Sequence, residues 1–218
     1  MHTAGTARDD RWAYERSYWL RGLRHVAGVD EVGRGPLAGP VVAVAVILPA
    51  DFDDPGISDS KLLTPERRQD LFPIISRAAL AWSVGVADVD EIDRINILRA
   101  SLLAMRRALD DLLVTAEAVL VDGRQLIPDL SLPQQAIITG DRQSPSIGAA
   151  SILAKEIRDR MMEEYDDKYP GYGFAQHKGY ATAQHTAALE RLGPTPLHRR
   201  SFAPLRLWQQ GRLVLDES

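Results

Sequence analysis

The chain has 218 residues, 45% apolar and 26% charged, which is enough for one ordinary buried core and excludes a disordered chain. It has no cysteine, so disulfides, thiolate metal sites and cysteine nucleophiles are excluded. The net charge is −4, yet residues 172–212 carry +5 against −9 for the rest; this suits a phosphate contact beside a cation site, or a plain solvated basic face.

Residues 1–24 are polar and mixed in charge, without the apolar stretch of a secretory signal. The longest apolar run, 41–48, is too short to span a bilayer, so a cytoplasmic protein without membrane contact is expected. Residues 11–23 predict a short helix and 23–32 a strand. After a turn at Leu37-Ala38-Gly39-Pro40, the β-branched run 41–48 predicts a strand buried on both faces. Thr64-Pro65-Glu66 is a helix start, and Pro73 should bend or shorten that helix.

Residues 81–89 read as a strand. Residues 91–114 read as one long amphipathic helix, with Ile95, Leu98, Leu102, Met105, Leu109 and Leu112 recurring every three or four positions. Short strands at 118–121 and 136–139 run into Asp122-Gly123 and Gly140-Asp141. A helix follows over about 145–168, with Ile147, Ala150, Ala154, Ile157 and Met161 on one stripe. A last helix spans about 181–192, stopped by Gly193-Pro194. Tight early strand connections imply antiparallel pairing and the later strand–helix–strand spacing implies parallel pairing, which together make a mixed sheet flanked by helices.

Asp30-Glu31, Asp122 and Asp141 each fall where a strand should leave the core. If the strand ends share a rim, the acids converge there and repel unless hard cations such as Mg²⁺ or Mn²⁺ neutralise them. Neighbours in a strand point to opposite faces, so Asp30 and Glu31 share a site only if the strand ends or kinks there, which Gly33 and Gly35 would allow. Each acid also has an ordinary reading: Asp-Gly as a turn, Asp141 as a helix cap, Asp30-Glu31 as a solvated strand end. In Gly33-Arg34-Gly35, the glycines admit close approach of a ligand and the guanidinium suits phosphate, while a plain tight turn is the alternative.

The run at 29–42, VDEVGRGPLAGPVV, resembles the first signature of type 2 ribonuclease H, the ribonuclease HII family. Asp59-Ser60-Lys61 and Val121-Asp122-Gly123 resemble the second and third. Gly140-Asp141 with Ser144, Ser146-Ile147, Ala149-Ala150-Ser151-Ile152, Ala154-Lys155 and Arg158-Asp159-Arg160 resembles the fourth. Tyr172-Gly173-Phe174, His177-Lys178-Gly179-Tyr180, Thr182, His185 and His198-Arg199-Arg200-Ser201-Phe202 resemble the C-terminal one. Together they cover roughly residues 25–205. Leu62 and Gly148 depart from the pattern, where lysine and alanine are common.

The resemblance implies an α/β, ribonuclease H-like fold, with a five-stranded mixed sheet flanked by helices. It implies a catalytic domain over 1–170, with an N-terminal extension over 1–23, and a helical extension over 171–218 that helps to bind substrate. It implies that Asp30, Glu31, Asp122 and Asp141 hold two Mg²⁺ or Mn²⁺ ions and cut on the 5′ side of a ribonucleotide, in RNA/DNA hybrids or duplex DNA, leaving 3′-hydroxyl and 5′-phosphate ends. The 33–35 loop, Gly33, Arg34 and Gly35, would read the 2′-hydroxyl, and Tyr180 would stack on the adjoining deoxyribose. A monomer is expected.

Lys61 reads as a phosphate contact or a loop lysine. Ser151 and Lys155, four apart on one helix face, read as nucleic-acid contacts, as a brace for Asp141, or as a surface pair. His177, His185 and His198 read as structural or phosphate-contacting, since no spacing demands zinc. Gln209, Leu213 and Leu215 have the pattern of a weak sliding-clamp peptide. A 3′-exonuclease or junction resolvase of the same fold, or a binding module without catalysis, are the rival readings.

Overall fold

The computed structural model describes residues 11–52, 56–57 and 60–209, the last two of these by backbone alone. Asp59, Leu213, Leu215 and the side chain of Gln209, hence the clamp peptide, lie outside the described residues.

Five strands form one sheet in the order β3-β2-β1-β4-β5: β1 (Val26–Val32), β2 (Val41–Ile47), β3 (Ala81–Ala87), β4 (Ala118–Asp122) and β5 (Gln134–Ile137). The pairs β1–β2 and β2–β3 are antiparallel; β1–β4 and β4–β5 are parallel. This is the mixed sheet expected. As predicted, β2 is buried along its whole length. Its alternate residues serve two cores: Ala43, Ala45 and Ile47 pack with α4 (Ile97–Asp110), while Val44 and Val46 pack with α2 (Pro65–Ala78) and α6 (Pro145–Lys168).

Helix α6 starts and stops where expected. It lies so close to β1 that a Cβ on Gly28 would collide with the Ser146–Ile147 backbone. Its residues 146–154 are buried on all sides, which explains the run of small side chains there. Helix α1 (Ala13–Trp19) holds that start from a distance: buried Glu15 accepts hydrogen bonds from Ser144 Oγ at 2.5 Å and from the Ser146 amide at 3.1 Å. Burial raises the pKa of Glu15.

Two helices differ in extent from expectation. Pro73 does not end α2, which runs to Ala78 because Leu71 and Ile75, on either side of it, are fully buried. The long helix over 91–114 is two, α3 (Val89–Ile95) and α4, broken at Asn96. That residue has φ +70°, and its side chain caps α4 through the amides of Leu98 and Arg99. Asp88 and Glu91 form a reciprocal capping box on α3.

The C-terminal segment brings α7 (Phe174–His177), α8 (Ala183–Leu192) and α9 (Leu205–Gln209). Its Tyr172, Phe174, Ala188, Leu189 and Leu205 share a core with Leu37 and Ala38 of the loop after β1 and with Met162 of α6. Among the described residues no helix is long and apolar enough to cross a membrane.

Candidate active site

The parallel pairing of β1 with β4 sets Val29 beside Val121, so Asp30-Glu31 and Asp122 leave the sheet at one rim. The strand does not end or kink at the acidic pair: β1 stays in register with β2 through Val32. Asp30 therefore points toward α6, where Ser151 bonds it, and Glu31 toward α4 and Arg34. The two still sense each other around the strand, and the Asp30 carboxylate accepts the Glu31 amide at 2.7 Å. Burial, then Glu31 and Asp122, raise the pKa of Asp30 well above the usual carboxylate range. Glu31 is also raised, by burial first and Asp122 further, against the lowering effect of Arg34.

Asp122, the last residue of β4, accepts the Gly140 amide at 2.7 Å. That bond draws α5 (Gly140–Gln143) to the rim. Asp141 is thus not at a strand end: β5 stops at Ile137, Thr139 turns with φ +54°, and Asp141 sits buried in a four-residue helix. Beside Glu31 and Asp122 lies a cavity of about 60 Å³, room for a few waters, also lined by Arg34, Arg124 and Ser101. The Ser101 hydroxyl is buried there without a hydrogen-bond partner. Among the described residues no three or more histidine, aspartate or glutamate side chains are gathered closely enough to hold a metal ion by themselves.

The 33–40 loop beside the rim hangs from two fully buried arginines. Arg199 donates to the carbonyls of Gly33, Arg34 (2.9 Å) and Gly39, and Arg158 to those of Ala38 (3.1 Å), Pro40 (3.0 Å) and Lys178 (3.0 Å). Burial, and then Arg158, lower the pKa of Arg199 to about 9, so it stays charged at neutral pH. Gly33 has φ +93°, and a Cβ on it would collide with Arg158 Nε; a Cβ on Gly35 would meet only Tyr180, at 3.6 Å. Arg34 reaches Glu31 at 3.1 Å, and its side chain is otherwise half exposed.

Lys61 is exposed on a loop that Arg68 pins through the carbonyls of Ser60 (3.2 Å) and Leu63 (2.8 Å), itself paired with buried Glu156 at 3.0 Å. Ser151 is buried, bonded to Ser60 at 2.8 Å and to Asp30, so it braces Asp30. Lys155 pairs with Asp159 at 2.6 Å. Tyr180 is 43% exposed, facing the Gly35 side of the loop. The basic segment is not a uniform surface: Arg199 is wholly inside, and Lys178 pairs with Glu163 at 2.7 Å. Arg68, Arg158 and Arg199 were not recognisable as buried from charge alone. Arg158 did carry a signal, since it lies four residues from both Ala154 and Met162 on a buried stripe.

The family model of ribonuclease HII matches residues 27–205. A ribonuclease HII of Geobacter sulfurreducens is 57% identical over 195 residues, 89% of each chain. The crystal structure of the ribonuclease H2 from Pyrococcus horikoshii superposes with a TM-score of 0.71 at 27% identity, covering 86% of this chain and 98% of that one. The PCNA:RNase HII complex from Archaeoglobus fulgidus gives a TM-score of 0.65 at 25% identity, covering 80% and 93%.

Proposed function

From the premise that the chain belongs to the ribonuclease HII family and is a ribonuclease H, we propose that it cuts the RNA strand of RNA/DNA hybrids and nicks duplex DNA on the 5′ side of an embedded ribonucleotide, leaving 3′-hydroxyl and 5′-phosphate ends. The observation that carries this reading is the shared rim: the parallel β1–β4 pair sets Asp30, Glu31 and Asp122 in mutual electrostatic reach. Next to them runs a loop whose backbone is held open by Arg199.

The donor set fits a pair of hard cations. It is all oxygen and self-repelling, and an open rim is what Mg²⁺ needs when water and phosphate complete its coordination. Asp30, Glu31, Asp122 and Asp141 would hold Mg²⁺ or Mn²⁺. When bound, two such ions supply an activated water and a counter-charge for the departing 3′-oxygen. The protein's own part is orientation. Ser151 and the Glu31 amide fix the Asp30 carboxylate, the Gly140 amide fixes Asp122, and Arg34 holds Glu31.

Gly33, Arg34 and Gly35 present backbone to the 2′-hydroxyl, and exposed Tyr180 stacks on the deoxyribose next to it. Lys61 and Lys155 flank the path of the phosphates, and residues 171–218 form a substrate-binding extension on the 1–170 catalytic domain. We place the enzyme in the cytoplasm as a monomer. A sliding-clamp contact through Gln209, Leu213 and Leu215 has support from the PCNA complex of the A. fulgidus relative.

The test is a DNA duplex carrying one internal ribonucleotide, beside an all-DNA control, with Mg²⁺ and then with chelator. The expected result is a single Mg²⁺-dependent nick 5′ of the ribonucleotide and none in the control. Stepwise shortening from an end would replace this reading with an exonuclease.

A further inference from the structure

Three histidines lie behind Tyr180, and the backbone amides around them decide which ring nitrogens carry protons. The Thr195 amide donates to His198 Nδ1 at 2.9 Å. An amide only donates, so that nitrogen is bare and the His198 proton is on Nε2. His198 Nε2 lies 3.0 Å from His185 Nε2 and must be the donor, which leaves the His185 proton on Nδ1. His185 Nδ1 then donates to the Tyr180 carbonyl at 2.9 Å. The Gly179 amide likewise donates to His177 Nδ1 at 3.1 Å, so His177 Nε2 donates to the Tyr172 carbonyl at 2.7 Å. His177 stacks on His185 at 4.4 Å between ring centres, and its own carbonyl accepts the Tyr180 amide at 2.9 Å. All three rings are neutral, and every bond has one direction. No ring nitrogen is left to bind a metal.

Both backbone polar groups of Tyr180 thus belong to this array. The turn before it has positive φ at Lys178 and Gly179, and the Gly179 carbonyl accepts the Leu37 amide at 2.8 Å, which ties the turn to the 33–40 loop. The array fixes the main chain of the one aromatic residue exposed against Gly35 while leaving its ring outside.

We propose that His185 and His198 are positioning residues for Tyr180: their one-way chain of hydrogen bonds sets where the tyrosine ring stands against the 33–35 loop, and so sets the preference for a ribonucleotide–deoxyribonucleotide junction. This rests on the function proposed above. Long hybrids offer the loop a 2′-hydroxyl at every register and need the tyrosine less, so the chain governs the ratio of the two activities rather than cleavage itself.

The experiment measures kcat/KM on a single-ribonucleotide duplex and on a long RNA/DNA hybrid. His185→Phe keeps the ring stack and removes the bond to Tyr180. It is expected to lower the ratio of the first activity to the second about tenfold, with the circular-dichroism spectrum unchanged. His185→Asn, whose amide nitrogen can take the place of Nδ1, should recover most of that loss. In a Tyr180→Ala background His185→Phe should change the ratio no further. Should His185→Phe fail to fold, His198→Asn, which keeps an acceptor for Thr195 but no longer reaches His185, carries the same measurement. An unchanged ratio, or an equal loss with and without Tyr180, overturns the proposal. A wild-type enzyme unable to nick the single-ribonucleotide duplex removes the underlying function instead, and the inference with it.

Discussion

Asp30, Glu31 and Asp122 are carried by paired strands, whereas the 33–40 loop beside them hangs from two buried guanidinium groups. The rim concentrates negative charge, which Arg34 offsets at Glu31, and burial raises both acids of β1. The loop is the reverse: buried positive charge met on all sides by carbonyl oxygens. One region is left electrostatically incomplete and the other is closed. The first suits groups that must take up a ligand, and the second suits a surface that must keep its shape while a ligand is measured against it.

The comparison breaks most visibly at the rim. Asp30→Asn keeps shape and removes charge, so cleavage should fall by about a thousandfold, some 4 kcal/mol, while stability and duplex binding hold. Gel shift beside a cleavage assay checks this, and undiminished cleavage would remove Asp30 from the chemistry. The closed side should instead lose stability. Gly33→Ala must displace Arg158 and adopt φ +93°, at an expected cost of about 3–4 kcal/mol. Gly35→Ala meets only Tyr180, and its stability should stay within about 0.5 kcal/mol of wild type. Denaturant midpoints for the pair give the contrast directly; equal midpoints would mean the loop is not clamped.

The smallest effect concerns pH. Burial and then His185 lower the pKa of His198 from 6.5 to about 4. As pH falls through that window the unfolded chain takes a proton that the folded one refuses. The neutral ring's contribution is therefore complete above pH 6.5 and is lost toward pH 4, by about 3 kcal/mol in all. His198→Asn lacks this dependence, so its deficit against wild type should shrink by that amount between pH 7 and pH 4. Parallel unfolding curves for the two proteins across that range would contradict the neutral assignment.

Sheet and rim were readable because they follow short-range rules. The continuous apolar run of β2, the Pro145 start of α6 and the Asp-Gly after β4 each announce themselves within a few residues. The break at Asn96 was hidden because the apolar spacing continues across it, although Asp88 and Glu91 spelled out a capping box. Pro73 does not stop α2 because propensity loses to burial on both sides of it. The placement of Asp141 in α5 was missed by the same kind of error, a strand extended two residues too far over Thr139. The closed region was the least legible. Its signature residues stood in plain view, but their direction was not: Arg199 and Arg158 point inward to carbonyls 160 and 118 positions away in the chain.

That separation has a consequence for the order in which the molecule is made. Synthesis delivers the strands, the acids and α6 with Arg158 first, and the second guanidinium that holds the loop arrives with residue 199. A nascent chain that has only reached the end of α6 already holds Asp30, Glu31, Asp122 and Asp141, and of the two arginines that hold the loop it has Arg158 but not Arg199. The acidic rim is thus complete in the chain before the loop beside it is fully held.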